Sequence, residues 1–342
     1  MDVLAELAFS ASDLAQVRFA VSPMWQVATS FRLLTGRAGA SPVHRPWIEQ
    51  VRPRVVAAGL DRGRLAELLP PTGFFPYFLT PAPTGPAPAL ADELAAIRAT
   101  GPDRVRRDLD HLAHHQGPPG PRLRSLHHDP RARLARVTQE IDAYWELALA
   151  PYWARIRAVL DTDVLYRARQ VAAHGAGRVL DDLHASVRWD GNALHLVRRS
   201  RPMPRATTGP GLLLVPSAFT GPRLLTTQVP PDPPQLAYPA RGAGTLWAPG
   251  PGADPEALSA VLGRSRTLLL TELDTPASTT QLAHRTGLSP AGVSQYLTAL
   301  RRAGLVSAHR AGRSVLYART AAADTLLRAA SAAQASGAAT PQ

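Results

Sequence analysis

The feature that most restricts the fold is a regular succession of helix start and stop signals near the C-terminus. Ser278 begins a Ser-x-x-Gln capping box with Gln281, and Gly287 closes the short helix that follows. Ser289 is then a natural N-cap, and the proline after it occupies the first helical position, where a missing N–H costs nothing. The next helix ends at Gly304. A tight turn between two short helices predicts a helix-turn-helix.

The neighbouring segments extend this pattern on both sides. Upstream, leucine and valine at helical spacing predict one long leucine-rich helix over Leu258–Leu273. Downstream, two strands are predicted at Leu305–Arg310 and Ser314–Arg319, joined by a short glycine-containing turn. The order helix, short helix, turn, helix, hairpin predicts a winged helix-turn-helix DNA-binding domain over 254–333.

The charge of this region supports the same interpretation. From Thr275 to Thr320 there are six Arg, two His and no Asp or Glu, whereas the whole chain has a net charge of +12. Half of the net charge therefore lies in a short stretch, although surface helices of ordinary domains mix both signs. An acid-free face is what phosphate contact requires. The alternative is a helical hairpin with a solvated basic face.

The residue types on the exposed side of this region suit nucleic acid. An α-helix fits the major groove, where Gln and Ser read base edges and Arg grips phosphate. We predict that Gln295 reads a base, that Arg302 contacts phosphate, and that Arg313 at the wing tip contacts phosphate or the minor groove. The predicted DNA-binding residues are Thr279, Thr280, Ser289, Ala291, Ser294, Gln295, Thr298, Arg301, Arg302, Arg310 and Arg313.

The stretch Thr279–Tyr317 closely resembles the ArsR-type winged-helix repressors of bacteria. The motifs L-A-x-x-T-G-L-S, V-S-x-Y-L-x-x-L-R-x-A-G-L-V and G-R-S-V-x-Y carry the resemblance. Two further stretches, D-L-A-Q-V-R-F-A-V-S-P-M-W and Y-P-A-R-G-A-G-T-L-W, resemble the N-terminal region of large actinobacterial members. The resemblance implies double-stranded DNA as a partner, a homodimer on a palindromic operator, and control by an effector, which is a metal ion in many members.

Metal binding at the family's positions is not supported by this sequence. The chain has no Cys, and its last predicted helix, Ala321–Ala333, offers Asp324 but no His or Glu. We therefore predict no metal and no cofactor. His111, His114 and His115 have the i, i+3, i+4 spacing that chelates Zn or Ni, so a His-site metal sensor is an alternative to an exposed polar helix.

The predicted fold class is mainly α with α+β parts. A helical N-terminal region is predicted over 1–186, with a first helix that starts at Ser12-Asp13 and continues through Val17, Phe19 and Val21. Further helices are predicted at Met24–Leu34, Pro42–Ala58, Leu90–Arg98, Asp103–His115, 131–160 and 163–184.

A small β-rich subdomain is predicted over 187–250, and it could bind an effector together with the N-terminal region. Its first two strands, Val187–Trp189 and Leu194–Val197, flank Asp190-Gly191-Asn192, which is a good hairpin turn. Two further strands are predicted within Gly211–Phe219 and Arg223–Val229.

The remaining features bear on the class of protein. The six Trp lie outside the DNA reader and belong either to the core or to a pocket for an apolar effector. No P-loop, G-x-S-x-G elbow, H-E-x-x-H or complete dinucleotide fingerprint is present, so we predict no enzyme. The N-terminus lacks a signal peptide, and no apolar run reaches about 18 residues, so we expect a cytoplasmic protein without a membrane partner.

We therefore expect a sequence-specific transcriptional regulator, a repressor controlled by an unknown ligand. Two other interpretations stay open. The first is an enzyme-like or small-molecule-binding N-terminal domain fused to a DNA reader. The second is a winged helix that binds protein.

Overall fold

The computed structural model describes residues 5–8, 11–36, 42–191, 193–196, 211–248, 255–312 and 314–337. Helices predominate in this part of the chain, and its strands form small sheets. The predicted class, mainly α with α+β parts, is confirmed.

The N-terminal helices are short to medium in length, and several begin with proline in the first turn, where proline is tolerated. They are α1 Ala11–Ala15, α2 Pro23–Thr35, α3 Arg45–Ala57, α4 Arg64–Leu68, α5 Leu90–Arg98, α6 Pro102–Gln116, α7 Pro121–His128, α8 Pro130–Ala148, α9 Trp153–His174 and α10 Ala176–Asp181. Turns of 3-10 helix lie at Pro42–His44, Leu60–Arg62, Tyr77–Leu79, Ala150–Tyr152 and Ala243–Thr245.

The C-terminal helices and the strands complete the secondary structure. The helices are α11 Pro255–Leu262, α12 Arg264–Glu272, α13 Thr279–Thr286, α14 Pro290–Arg302 and α15 Ala321–Gly337. The strands are β1 Ala5–Ala8, β2 Val17–Phe19, β3 Val187–Trp189, β4 Ala193–Leu196, β5 Leu212–Ser217, β6 Leu225–Thr227, β7 Gln235–Pro239, β8 Val306–Ala311 and β9 Ser314–Arg319.

The strands pair in three groups within the described residues. One sheet has the order β1-β4-β3 and is antiparallel, with the predicted hairpin of β3 and β4 confirmed. A second has the order β2-β5-β7-β6, in which β2, β5 and β7 are parallel and β6 is antiparallel. Strand β5 is buried along its whole length, as is usual for a strand of a parallel sheet. The third is the hairpin β8-β9.

The chain divides into two compact units. The sheet unit holds the first two sheets, and the winged-helix unit holds the C-terminal helices and the hairpin. The sheet unit consists of 1–45, 60–141 and 159–246, and the winged-helix unit of 46–59, 142–158 and 247–342. The division into 1–186, 187–250 and 254–333 stays a prediction.

Three of the predicted long helices, Leu258–Leu273, 131–160 and 163–184, are wrong, because each is interrupted. The last of them consists of the end of α9, which closes at His174, and of α10, with Gly175 at a φ of +82° between them. The predicted helix Leu258–Leu273 consists of α11 and α12, which are separated at Gly263, where a φ of +85° lies outside the helical region. The predicted helix over 131–160 is α8 followed by α9, with a 3-10 turn at Ala150–Tyr152 between them. Pro151 within that turn lacks the N–H that a continuous helix would use.

The first predicted helix is also wrong beyond Ala15, because its second half contains a strand. Helix α1 ends at Ala15, and Val17–Phe19 instead forms β2, parallel to Leu212–Leu214. The pairing partner lies nearly two hundred residues away in the chain, so the local sequence pattern gave no indication of it. Asn192 and Val197, which were assigned to the hairpin, lie outside the described residues.

Candidate nucleic-acid interface

A small hydrophobic core holds α12, α13, α14 and the hairpin together. Its fully buried side chains come from every one of these elements: Leu269, Leu270, Leu273, Ala277, Leu282, Val293, Leu297, Leu300, Val306 and Ala323. Because the core uses one face of each short helix, the opposite faces are left to solvent.

The start of α13 is fixed by the predicted capping box. Ser278 Oγ accepts a hydrogen bond from the Gln281 backbone N–H (3.3 Å), and Gln281 Oε1 accepts one from the Ser278 N–H (2.9 Å). The helix closes at Gly287, whose N–H donates to the Ala283 carbonyl at 3.0 Å. Both predicted ends of this helix are confirmed.

The second helix, α14, begins as the sequence predicts. Ser289 Oγ accepts from the Gly292 N–H at 3.1 Å, and Pro290 occupies the first helical position. Val293, Leu297 and Leu300 point into the core and are at most 2% exposed. The predicted inward face of this helix is therefore confirmed.

The outward face of α14 carries five of the eleven predicted DNA-binding residues. Ala291, Ser294 and Gln295 are exposed near its N-terminal end, and Arg301 and Arg302 are exposed at its C-terminal end. These positions recur every three to four residues, so they form a single face.

The other predicted residues lie on α13, on α14 or at its N-cap, and on the wing, and two of them already use their hydroxyl groups in hydrogen bonds. Thr298 is half-buried and its Oγ1 donates to the Ser294 carbonyl at 2.9 Å, while the Ser289 hydroxyl serves as the N-cap. Thr279 is half-buried and Thr280 exposed in the first turn of α13.

The hairpin is the wing, and it is tied to the start of α13. Strands β8 and β9 pair antiparallel from Val306 with Arg319 to Ala311 with Ser314. Ala277 and Tyr317 add a further bridge, in which each N–H donates to the other residue's carbonyl at 3.0 Å and 2.8 Å. Arg310 is exposed on β8, and Arg313 at the predicted wing tip lies outside the described residues.

The arginines of the acid-free stretch fall into two groups. Arg319 is paired with Asp274 (2.7 Å) and Asp324 (3.0 Å). Apart from Arg313, which lies outside the described residues, the others are exposed and make no ion pair within the described part of the chain. We call them the four unpaired arginines: Arg285, Arg301, Arg302 and Arg310. Arg285, on α13, was not among the predicted residues, although it lies within the acid-free stretch that could have indicated it.

Comparison with known families identifies this segment. Residues 267–308 match the family described as bacterial regulatory protein, arsR family. The chain carries an ArsR-type helix-turn-helix domain. The presence of this domain supports the interpretation of the chain as a DNA-binding transcriptional regulator. No curated protein and no solved structure matches the chain.

Ion pairs with residues outside the matched segment hold the ArsR-type domain in place, and the sequence of that segment does not predict them. Asp274, which precedes α13, lies 2.7 Å from Arg319 and 3.6 Å from Arg155 at the start of α9. Arg155 also donates to the Ala248 carbonyl. Asp324 joins through Arg319, and burial raises the pKa of its carboxyl group while Arg319 lowers it. These ion pairs fix the end of the wing against the start of α15.

Aromatic side chains from the earlier helices pack in the same unit as the ArsR-type domain. Trp47 stacks on Trp247 with ring centroids 6.2 Å apart, and its Nε1 donates to the Ala148 carbonyl at 2.9 Å. The rings of Tyr152 and Trp247 meet edge to face with centroids 5.5 Å apart, and the Tyr152 hydroxyl donates to Gln50 Oε1 at 3.0 Å. Trp47, which is fully buried, is therefore a core residue of this unit, and the half-buried Trp247 packs against it.

The histidine cluster of α6 is arranged around an aromatic ring. The rings of His111 and His115 lie 4.3 Å and 6.1 Å from that of Phe74, and His114 follows at 5.3 Å from His115. Across the described residues, no group of three or more His, Cys, Asp or Glu side chains is placed to hold a metal ion. In the same part of the chain, no helix combines the length and apolarity needed to cross a membrane.

Proposed function

We propose that the chain is a transcriptional repressor that binds a palindromic operator as a homodimer and is released by a small ligand. One observation carries the proposal: the exposed face of α14 presents Ser294 and Gln295, and the four unpaired arginines lie at the C-terminal end of this helix and on the adjoining elements α13 and β8. The proposal assigns no catalytic step and no metal to the chain.

The unpaired arginines supply affinity without sequence preference. Each guanidinium group that neutralises a phosphate releases counterions, so the logarithm of the binding constant falls by about 0.9 per contact for each unit of log salt. Arg301 and Arg302 at the end of α14, Arg285 on α13 and Arg310 on the wing lie on three elements that a duplex could contact together.

Sequence preference is assigned to the N-terminal half of α14. In helix-turn-helix proteins this part of the recognition helix approaches the base edges. Gln295 is exposed there, and its amide can bond adenine at two atoms, which discriminates by about 1–3 kcal/mol. Ser294 offers a shorter donor and acceptor beside it.

The first experiment separates base reading from phosphate contact. A genome-wide DNA pull-down with the purified protein identifies the operator, and three variants are then titrated on operator and random DNA at several salt concentrations. Gln295→Ala is expected to lose about 1–3 kcal/mol on the operator and little on random DNA. Arg302→Ala is expected to weaken both alike and to lower the salt slope by about one.

The matched control is Arg107→Ala, which removes one exposed charge from α6 in the sheet unit. It is expected to leave both titrations unchanged. Equal losses on operator and random DNA for Gln295→Ala would show that α14 is not the reader. An effect of Arg107→Ala as large as that of Arg302→Ala would show that DNA binding depends on the overall charge of the chain and not on the position of Arg302.

The homodimer is assigned to the helices that precede the reader. Val261 on α11 is 81% exposed and Leu268 on α12 is 39% exposed. Leu326 and Leu327 on α15 are also candidates for the dimer contact, but Leu327 is buried within the chain. A contiguous exposed apolar patch marks a surface that a partner covers, and the proposal places Val261 and Leu268 in such a patch. Sedimentation is expected to give a dimer for the native chain and a monomer for Val261→Asp, and a native monomer both free and on DNA would exclude this part of the proposal.

A further inference from the structure

The sheet unit contains a cavity that is independent of the DNA reader. It has a volume of about 300 Å³ and lies between the 3-10 turn Tyr77–Leu79, helix α6 and the strands β6 and β7. This volume is at the lower end of the range for small-molecule pockets, roughly 300–1,000 Å³. Apolar and polar side chains share the lining.

One wall of the cavity carries a buried hydroxyl group without a partner. Thr227 is 1% exposed, and its Oγ1 has no hydrogen-bond partner within the described residues. Leaving such a group unsatisfied costs roughly 1–3 kcal/mol. A ligand atom in the cavity would remove that cost.

The position of Thr227 is fixed by the sheet. Thr227 on β6 lies directly opposite Gln235 on β7, so both side chains are on the same face. Gln235 is fully engaged, because its Nε2 donates to the Thr80 carbonyl (2.9 Å) and its Oε1 accepts from Trp25 Nε1 (2.8 Å). Of these two paired side chains, Thr227 is therefore the one whose polar atom has no hydrogen-bond partner within the described residues.

Arg104 provides a positive charge in the same cavity. Its Nε donates to Asp108 Oδ1 at 3.2 Å, and its terminal nitrogens make no hydrogen bond within the described residues. Asp108 also accepts from the Phe78 N–H at 2.8 Å, so one buried carboxylate orients both Arg104 and the 3-10 turn. A guanidinium group held through Nε presents its outer edge to an oxyanion.

The rest of the lining suits a flat apolar group. Tyr77, Phe78, Pro81 and Pro233 contribute apolar surface to it. Asp232 also lines the cavity, but it is exposed to solvent, where water screens its charge.

We propose that this cavity binds a small aromatic carboxylic acid, whose carboxylate meets Arg104 and whose ring substituent meets the Thr227 hydroxyl. The proposal that the ligand binds here depends only on the cavity and its lining residues. The ligand's role as the effector rests on the proposed function.

The test uses calorimetric titration of the full-length protein without DNA. The probes are benzoate, 4-hydroxybenzoate and the neutral analogue benzamide. Both acids are expected to bind in the millimolar range or tighter, and benzamide about tenfold more weakly, because it lacks the charge that Arg104 pairs with. Failure of both acids to bind, or equal binding of benzoate and benzamide, overturns the proposal.

Two variants locate the binding. Thr227→Val keeps the β-branched shape and is expected to weaken 4-hydroxybenzoate about three- to tenfold. The matched control Thr226→Val makes the same change one residue away, on the opposite face of β6, and is expected to leave the affinity unchanged. Unchanged affinity in Thr227→Val overturns the proposal.

Arg104→Gln is expected to lose at least tenfold in affinity for both acids. This variant also removes the partner of Asp108, so Thr227→Val carries the test where Arg104→Gln does not fold.

The role as effector is tested in a separate measurement, in which 4-hydroxybenzoate is added to the protein–operator complex. Acid binding without any salt-sensitive DNA binding overturns the proposed function and leaves the cavity assignment intact. DNA binding without acid binding overturns the cavity assignment alone.

Discussion

The sheet unit and the winged-helix unit use charged side chains in opposite ways. In the sheet unit, the acids Asp13, Glu93, Asp108 and Asp163 are all buried, at 7% exposure or less. In the winged-helix unit, the four unpaired arginines are exposed and make no ion pair within the described residues. Buried charge is expensive and persists only where it is fully bonded, whereas exposed charge places no demand on the fold.

The buried acids join segments that are distant in the chain. Each accepts a backbone N–H from another element: Gly211 donates to Asp13 (3.2 Å), Met24 to Glu93 (2.7 Å), Phe78 to Asp108 (2.8 Å) and Arg241 to Asp163 (3.1 Å). These carboxylates therefore replace backbone partners where the chain leaves regular structure. The arginines have no such role, which leaves them available to a partner molecule.

The sharpest test of this contrast is Asp163→Ala. Asp163 is fully buried, accepts from the Tyr238 hydroxyl (2.7 Å), and pairs with Arg167 at 3.3 Å. Its removal leaves the buried Arg167 charge uncompensated, which is expected to destabilise the unit by about 3–5 kcal/mol. Urea denaturation followed by tryptophan fluorescence measures the loss.

The control for this substitution is Asp161→Ala, two residues earlier on the exposed side of α9. It is expected to change the stability by less than about 0.5 kcal/mol. Similar midpoints for Asp163→Ala and the native chain would mean that the buried acid does not hold the unit together.

The second test is the pH dependence that Glu93 gives to the sheet unit. Burial raises the pKa of Glu93 from 4.5 to about 7, although Ser22 Oγ (2.6 Å) and the Met24 N–H (2.7 Å) both donate to it and lower the pKa. The folded state therefore binds a proton more tightly than the unfolded state. The contribution of Glu93 to the free energy of unfolding is fully present below pH 4.5. It falls by up to about 3 kcal/mol as the pH rises through 7.

Glu93→Gln imitates the protonated side chain and removes this dependence. The native chain is expected to be more sensitive to urea at pH 8 than at pH 5, and the variant to lose this part of the difference. Parallel stability profiles for the two proteins across this range would show that Glu93 ionises as it does in water.

The two units also differ in how far the sequence could predict them. The winged helix is built from local signals: the bonds of Ser278 to Gln281 and of Ser289 to Gly292 span three residues each. Strand β2 depends on Leu212–Leu214, far along the chain, and its local apolar pattern resembles that of a helix. The sequence therefore predicted the winged helix but not strand β2.

The interface shows the same limit at the level of single side chains. Arg319 and Arg310 look alike in the sequence, since both lie on wing strands within the acid-free stretch. Arg319 is nevertheless occupied by Asp274 and Asp324, which lie just outside that stretch. Only the hairpin register, with Val306 opposite Arg319, places Arg319 at the braced end of the wing and Arg310 near its tip.

The smallest expected effect is that of removing two of the unpaired arginines. Arg301 and Arg302 are exposed at the end of α14, where their only contribution to stability within the described residues is their interaction with the helix dipole, about 0.3–1 kcal/mol. The double variant Arg301→Ala/Arg302→Ala is expected to lose no more than about 1 kcal/mol in urea denaturation and yet to lower the salt slope of DNA binding by about two. Arg319→Ala is the matched contrast, because it removes one charge together with both ion pairs and is expected to destabilise the winged-helix unit more than the double variant does. If the double variant instead unfolds as readily as Asp163→Ala, the arginines of α14 have a structural partner, and the contrast between buried and exposed charge does not hold.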